Sequence, residues 1–274
     1  MTSNSSLRLV DTHCHLNFDA FDHDRLHVVE RARENGISRI LNPGIDIKTS
    51  KTALQCSFDY FEVYAAVGVH PNSGLSWTIT SLSELKQLAG EQKVIAIGEI
   101  GLDYYRDHTP RELQRSIFSK QLELAADLGL PVIIHNREAF DDILDILTIW
   151  YRALLISESK LAHNPGVMHS FSGTVEFAKA CTSLNFKIGV SGPVTFRNSQ
   201  VLQSVVCSLP LESLLIETDA PYLTPHPYRG KRNEPANVRI VAEKIAELKA
   251  YPVDEVASIT TEEAHKLFNW RVIS

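Results

Sequence analysis

The feature that most constrains the fold is an alternation of short apolar runs with longer amphipathic stretches. Eight runs begin near positions 7, 38, 63, 94, 131, 166, 185 and 213. Most intervals between them hold one helix-sized segment, as in 111–129, where Leu113 and Ile117 recur at helical spacing. Apolar strands joined by single helices are typical of parallel strands with right-handed crossovers. The sequence therefore predicts an α/β fold.

Eight such units predict a (β/α)8 TIM barrel that forms a single domain over residues 1–274. Barrels of this type run to roughly 250 residues as one unit. No linker rich in Pro, Gly or Ser, no low-complexity run and no internal repeat divides the chain. An open, doubly wound sheet of parallel strands is the alternative. The segment 148–164 makes one crossover longer than the others.

Composition limits the classes of function. The polar N-terminal residues 1–8 lack a secretion signal, and nowhere do ~18 apolar residues run together. The 4 cysteines lie far apart without a CxxC pair, so we expect free thiols rather than a structural zinc site. We therefore expect a cytoplasmic protein without membrane contacts, and nothing requires more than a monomer. The net charge of −6 repels polyanions, so nucleic acid would need a local basic patch or a bound cation.

Titratable residues stand at the ends of six predicted strands, and chemistry in such barrels takes place at those ends. They are His13, His15, His70, Glu99, His135, His169, Glu217 and Asp219. Any one of them alone would more often be a core or capping residue. Burying most of them together without partners would cost several kcal/mol for each unpaired charge. A shared cation would remove that cost.

The spacing of the two N-terminal histidines supplies part of a metal-binding geometry. His13 and His15 lie two residues apart, so both side chains face the same side of a strand. Imidazole combined with carboxylate indicates Mg, Mn or Zn. The strongest ligand candidates are His13, His15, Glu99, His135, His169 and Asp219. Six ligands are too many for one tetrahedral site, so we expect two divalent metal ions that share a carboxylate.

Several blocks of the sequence carry a family resemblance. They are DTHCHLNF, VGVHP, IGEIGLDYY, PVIIHNREA, GVMHSFSG and LLIETDAPYLTPHPYRGKRNEPANV. In this order they resemble the TatD family of metal-dependent deoxyribonucleases, within the amidohydrolase superfamily. The resemblance covers nearly the whole chain. It implies a (β/α)8 barrel and a metal-dependent phosphodiesterase that cuts DNA, often as a 3′ to 5′ exonuclease on single strands or damaged ends.

Carried over residue by residue, the resemblance implies two ions bridged by Glu99. One ion would lie between His13, His15 and Asp219, and the second between His135 and His169. Superfamily members that hydrolyse lactones, amides or phosphotriesters commonly carry a bridging carboxylated lysine on the fourth strand. This chain has Glu99 there and no lysine after Lys93, which favours the nucleases. The long segment before Gly166 departs from the family's compact connection and leaves the substrate range open.

Each candidate residue has a predicted role. Glu99 would set the spacing of the ions, and Asp219 would take the proton from the attacking water, so these two are the predicted catalytic residues. His70, Arg137 and Arg229 are the predicted substrate-binding residues.

For some further residues the sequence leaves the role open. Asp103 would either orient a ligand histidine or cap a helix. Glu217 would point to the same side as Asp219 but deeper, as structural support. Tyr104, Tyr105 and Tyr222 would either stack on bases or simply pack.

The predicted function is divalent-metal-dependent hydrolysis of DNA phosphodiester bonds. One alternative is a metal-dependent D-aminoacyl-tRNA deacylase, because the same activated water can attack an ester carbonyl. The other is a non-catalytic barrel that only binds, although such proteins usually lose a ligand and all six are present here.

Overall fold

A computed structural model describes residues 7–106 and 108–270, so the expectations for residues 1–6 lie outside the described chain. Eight strands follow one another in chain order, each parallel to its neighbours. They are β1 (Leu9–Asp11), β2 (Ile37–Pro43), β3 (Val63–Val67), β4 (Val94–Asp103), β5 (Val132–Arg137), β6 (Gly166–Met168), β7 (Lys187–Val190) and β8 (Leu214–Ile216).

The sheet closes between the segments that contain β1 and β8. The N–H of Thr12 donates to the carbonyl of Ile216 at 3.2 Å, and the N–H of Asp219 donates to that of His13 at 2.8 Å. Asp11 strengthens this seam, because its buried carboxylate accepts from both the N–H and the hydroxyl of Thr218. The predicted TIM barrel is therefore confirmed, and the open doubly wound sheet is excluded. The extent of the domain over residues 1–274 stays a prediction.

Helices surround the barrel. They are α1 (Arg25–Glu34), α2 (Ile47–Asp59), α3 (Ser81–Ala89), α4 (Arg111–Leu128), α5 (Phe140–Ile156), α6 (Val175–Ser183), α7 (Gln200–Ser208), α8 (Val238–Lys249) and α9 (Val253–Phe268). The predicted helix 111–129 corresponds to α4. The longer crossover 148–164 consists of the end of α5 and a 3-10 turn at Lys160–His163. Among the described residues, every helix is too short or too polar to cross a bilayer.

Alternate side chains of the strands build two apolar layers, as strand geometry requires. One layer fills the inside of the barrel and includes Val10, Tyr64 and Ile133, and the other packs against the helices. The N-terminal end is sealed by Phe268 and Trp270, which belong to the inner layer. The ring of Trp270 meets that of Tyr64 nearly perpendicularly at 5.0 Å. The core thus occupies the lower part of the barrel and leaves the C-terminal mouth for polar residues.

An irregularity in β4 aims one carboxylate into that mouth. The register with β5 shifts between Ile97 and Ile100, and the N–H of Glu99 donates to the carbonyl of Gly44 at 2.9 Å. A Cβ atom on Gly98 would lie 2.6 Å from the Cβ of Ile133, so no other residue fits there without a shift of the strand. Bulges of this kind redirect side chains next to functional sites.

Candidate metal centre

The histidines and carboxylates predicted from the strand ends meet at the C-terminal mouth of the barrel, around Glu99. This side chain is 3% exposed. Its Oε2 atom faces the imidazoles of His13 and His15, which follow β1. Its Oε1 atom faces the imidazoles of His70, His135 and His169. One carboxylate therefore separates two groups of ligand atoms.

The first group consists of His13, His15, Asp219 and Glu99 Oε2. The Nε2 atoms of His13 and His15 lie 3.2 Å apart. They lie 3.4 and 3.6 Å from Glu99 Oε2, and 3.8 and 3.6 Å from Asp219 Oδ1. His13, His15 and Asp219 thus lie close enough together to hold one ion, with Glu99 Oε2 beside the two histidines.

The second group lies on the other side of the same carboxylate. Glu99 Oε1 is 2.9 Å from His135 Nδ1, 3.7 Å from His169 Nε2 and 3.4 Å from His70 Nε2. The stacked rings of His13 and His169, with centroids 3.5 Å apart, connect the two groups. The six predicted ligands and His70 therefore form one continuous cluster.

The donor set of the first group fits a divalent metal ion. His15 Nδ1 lies 3.2 Å from the carbonyl oxygen of Pro43, which can only accept, so the hydrogen of the neutral ring sits on Nδ1. The lone pair on Nε2 then points at the cluster. Tetrahedral bonds of ~2.0–2.1 Å place ligand atoms about 3.3–3.4 Å from one another, close to the 3.2–3.8 Å observed here. A cation would satisfy atoms that have no hydrogen to share.

Burial sets the charge state of these groups. It lowers the pKa of His15 to about 4 and, with the neighbouring His169, holds the pKa of His13 well below its usual range. Burial alone would raise the pKa of Glu99, but His70 and His169 beside it lower that pKa well below its usual value. The first group therefore offers neutral imidazoles and an ionised carboxylate, which are the protonation states that a metal requires.

Glu217 holds His169 from below. Its Oε1 atom lies 3.1 Å from His169 Nδ1 and accepts the N–H of Ser170. Burial alone would lower the pKa of His169, but Glu217 and Glu99 raise it to about 10. Burial raises the pKa of Asp219 to about 7. Glu217 thus contacts the predicted ligand His169 directly, whereas the sequence predicted only a structural role.

Asp103 contacts the predicted ligand His135 and, among the described residues, caps no helix. Its Oδ2 atom lies 3.3 Å from His135 Nε2 and accepts from the side-chain amide of Asn72. Its Oδ1 atom accepts the N–H groups of Tyr105 and Arg106 and so closes the turn after β4, whereas α4 begins only after Pro110. The carboxylate is therefore placed to orient His135, and the predicted helix cap is wrong.

The predicted substrate-binding residues lie in different surroundings. His70 Nδ1 accepts the N–H of Asn72 at 3.0 Å, so in the neutral ring Nε2 carries the hydrogen and points at Glu99. Arg137 lines the cavity beside the site and stacks on Tyr105, 3.8 Å from the ring centroid. Arg229 stacks on Phe196 at 4.2 Å, beyond the residues that line that cavity. Their contacts with substrate stay predictions.

Two contacts at the site had no signal in the sequence. The carbonyl of Pro43 orients His15, yet any residue has a carbonyl. Phe18 stacks on the His15 ring with centroids 4.5 Å apart and an interplanar angle of 10°. An aromatic three residues after the HxH pair would have been the only signal for that contact.

Comparison with known proteins places the chain among hydrolases of this architecture. A family profile described as TatD related DNase matches residues 10–269. The metal-dependent hydrolase YabD of Bacillus subtilis is 45% identical over 260 residues, 95% of this chain and 98% of YabD. The crystal structure of YjjV, a TatD homologue from Escherichia coli, has 34% identity and a TM-score of 0.88 over 96% of this chain and 98% of YjjV. A TatD family hydrolase from Entamoeba histolytica has 25% identity and a TM-score of 0.83 over 97% and 99% of the two chains.

Proposed function

The chain belongs to the TatD family of metal-dependent hydrolases, and from that premise we propose that it hydrolyses phosphodiester bonds in DNA with two divalent metal ions. The observation that carries the proposal is Glu99, whose two oxygens face two separate groups of ligands. We further propose a 3′ to 5′ exonuclease that acts on single-stranded or damaged ends as a monomer.

The predicted ligands form two sets, one for each ion. His13, His15 and Asp219 would hold one ion, and His135 and His169 would hold the other, with Glu99 between them. When bound, such a pair of ions supplies an activated water at neutral pH and neutralises charge on the phosphate oxygens.

Two residues act around that centre. Asp219 lines the cavity, where its carboxylate can accept the proton of the attacking water. His70, as a donor to Glu99, keeps the bridging carboxylate in place.

Metal ions also resolve the charge problem of an acidic nuclease. The chain has a net charge of −6, which repels DNA at long range. Divalent ions held by two carboxylates leave a positive centre inside the mouth, and Arg137 adds a guanidinium beside it. Phosphate is then attracted only at the place where it is cleaved.

The test uses an end-labelled single-stranded DNA with Mg, with Mn and with a chelator. Wild-type protein should shorten the labelled strand from the 3′ end, and the chelator or Asp219→Ala should abolish the ladder. Asp145→Ala, which changes an exposed aspartate on α5, is the matched control and should cleave normally. DNA that stays intact with every metal would overturn the proposal. Release of free amino acid from D-aminoacyl-tRNA would instead assign the site to ester hydrolysis.

A further inference from the structure

A cavity of about 470 Å³ opens from the metal centre between the loops that follow β5, β6, β7 and β8. We infer that it holds one unpaired nucleoside, the unit of the DNA strand next to the phosphate that is cleaved. This inference rests on the proposed function and goes beyond it, because it assigns a binding site to residues that ligate no metal.

The position of the cavity determines what can enter it. The predicted ligands His135, His169 and Asp219 line it. The same cavity is also lined by apolar side chains, among them Phe171, Pro193, Val201, Leu202 and Leu223. A phosphate at the predicted metal centre would therefore share the cavity with the group that is bonded to it. In a DNA strand, that group is the adjoining sugar and base.

The chemistry of the walls matches a nucleobase, which has apolar faces and polar edges. Four serines, which are Ser170, Ser172, Ser191 and Ser199, also line the cavity. The Oγ atoms of Ser170 and Ser191 lie 3.0 Å apart. A serine hydroxyl both donates and accepts, so it can meet the edge of any base. We therefore expect the cavity to bind bases without strong preference among them.

The size of the cavity suits a single unpaired nucleoside. It falls within the range of roughly 300–1,000 Å³ that small-molecule sites occupy. A base in a duplex would bring its partner strand with it, and extruding it would cost a few kcal/mol. An unpaired terminal base avoids that cost.

The walls are held in place before any substrate arrives. A Cβ atom on Gly192 would lie 1.9 Å from the carbonyl oxygen of Leu223, so the loops after β7 and β8 touch directly. The amide of Gln203 donates to the carbonyl of Val194 at 2.9 Å and fixes the first of these loops. Ser170 and Leu223 have φ values of 42° and 53°, conformations that bulky residues adopt only when their surroundings impose them. A preformed wall binds a base without an ordering cost.

The test compares ligands that differ only in the base. Affinities of the Mn-loaded full chain are measured by calorimetry for thymidine 5′- and 3′-monophosphate and for the matching 1,2-dideoxyribose phosphates. At least one thymidine isomer should bind about tenfold or more tightly than its baseless partner. Val201→Trp should fill the cavity and erase this difference while leaving the baseless phosphate's affinity unchanged. Val201 is 57% exposed, so the larger side chain is compatible with folding.

The control is Leu155→Trp, which enlarges a 53% exposed residue on α5 and should keep the difference. Equal binding with and without the base, or a difference that survives Val201→Trp, would overturn the inference. Wild-type protein that degrades DNA but binds the phosphates equally well with and without the base would refute the nucleoside site alone. Wild-type protein that binds the base but cleaves no DNA would refute the proposed function alone.

Discussion

The two ends of the barrel both bury charged groups, but they satisfy them differently. At the N-terminal end Lys93 is 5% exposed, and its ammonium donates to the carbonyls of Phe61 and Val63 at 2.9 and 3.0 Å. It also lies 4.3 Å from the centre of the Tyr64 ring. At the C-terminal end the Nε2 atoms of two histidines approach within 3.2 Å of each other. At the N-terminal end the buried charge has its partners within the chain. At the C-terminal end the Nε2 atoms of His13 and His15 point toward each other.

This difference separates buried charge that belongs to the fold from buried charge that serves binding. Lys93 needs nothing from outside the chain, because carbonyl oxygens and an aromatic face stabilise it. The cluster around Glu99 brings the Nε2 atoms of His13 and His15 within 3.2 Å of each other beside Asp219, an arrangement that a cation from outside the chain would satisfy. Removing a group should therefore affect stability at the N-terminal end and metal binding at the C-terminal end.

The largest effect is expected at Glu99. Glu99→Gln should lower hydrolytic activity by on the order of 10³-fold and reduce the metal content, because the shared ligand is lost. Activity assays and metal analysis measure the two quantities. A Glu99→Gln protein that keeps wild-type metal content and activity would contradict the comparison.

The reverse pattern is expected at Lys93. Lys93→Ala should lower the unfolding free energy by about 2–3 kcal/mol, because the carbonyls of Phe61 and Val63 lose their donor and the aliphatic stem no longer packs. Metal content and activity per folded molecule should not change. Lys120→Ala, an exposed lysine on α4, is the matched control for urea unfolding and should have little effect. Loss of metal from Lys93→Ala would mean that the two ends are not independent.

A smaller effect is expected for the residue that supports His169. Glu217→Gln should weaken the binding of one ion by about 10–100-fold, since partners of ligand histidines contribute that much to affinity. The ion held by His13 and His15 should bind as in wild type, which stepwise metal titration can resolve. Glu212→Gln, an exposed glutamate just before β8, should leave both steps unchanged. Two unaltered steps in Glu217→Gln would rule out this role for Glu217.

A further effect is a pH dependence at the N-terminal end. Burial lowers the pKa of Lys93 from 10.5 to about 8, with Arg39 contributing in the same direction. Below about pH 8 the lysine is charged in both the folded and the unfolded chain, so the cost of burying its charge is fully present. Between pH 8 and 10.5 the folded chain loses the proton first, and the unfolding free energy should rise with pH. Chemical denaturation across this range should show that rise for wild type and not for Lys93→Met.

The barrel and the ligand positions were predictable because both follow from local patterns. Eight apolar runs separated by helices imply parallel strands, and parallel strands in a barrel all end at one rim. A histidine or carboxylate at a strand end can therefore be assigned to this rim before any distance is known. This is why His13, Glu99 and Asp219 could be grouped from residues far apart in the chain.

The contacts that orient the ligands were not predictable in the same way. The pairing of His15 with the carbonyl of Pro43 depends on which strand lies next to β1 and in what register. Likewise, His70 was assigned to the substrate, and only the N–H of Asn72 reveals that its hydrogen points at Glu99. Such details arise from neighbouring strands and turns rather than from spacing along one strand.

The seal at the N-terminal end of the barrel also governs when the enzyme can assemble during its synthesis. Phe268 and Trp270 leave the ribosome after all eight strands, and until then water reaches the inner layer around Tyr64. Closure of the seam likewise waits for the segment around Asp219. A nascent chain therefore carries its histidine cluster in an open form, and the metal ligands converge only after almost the whole of the described chain has emerged.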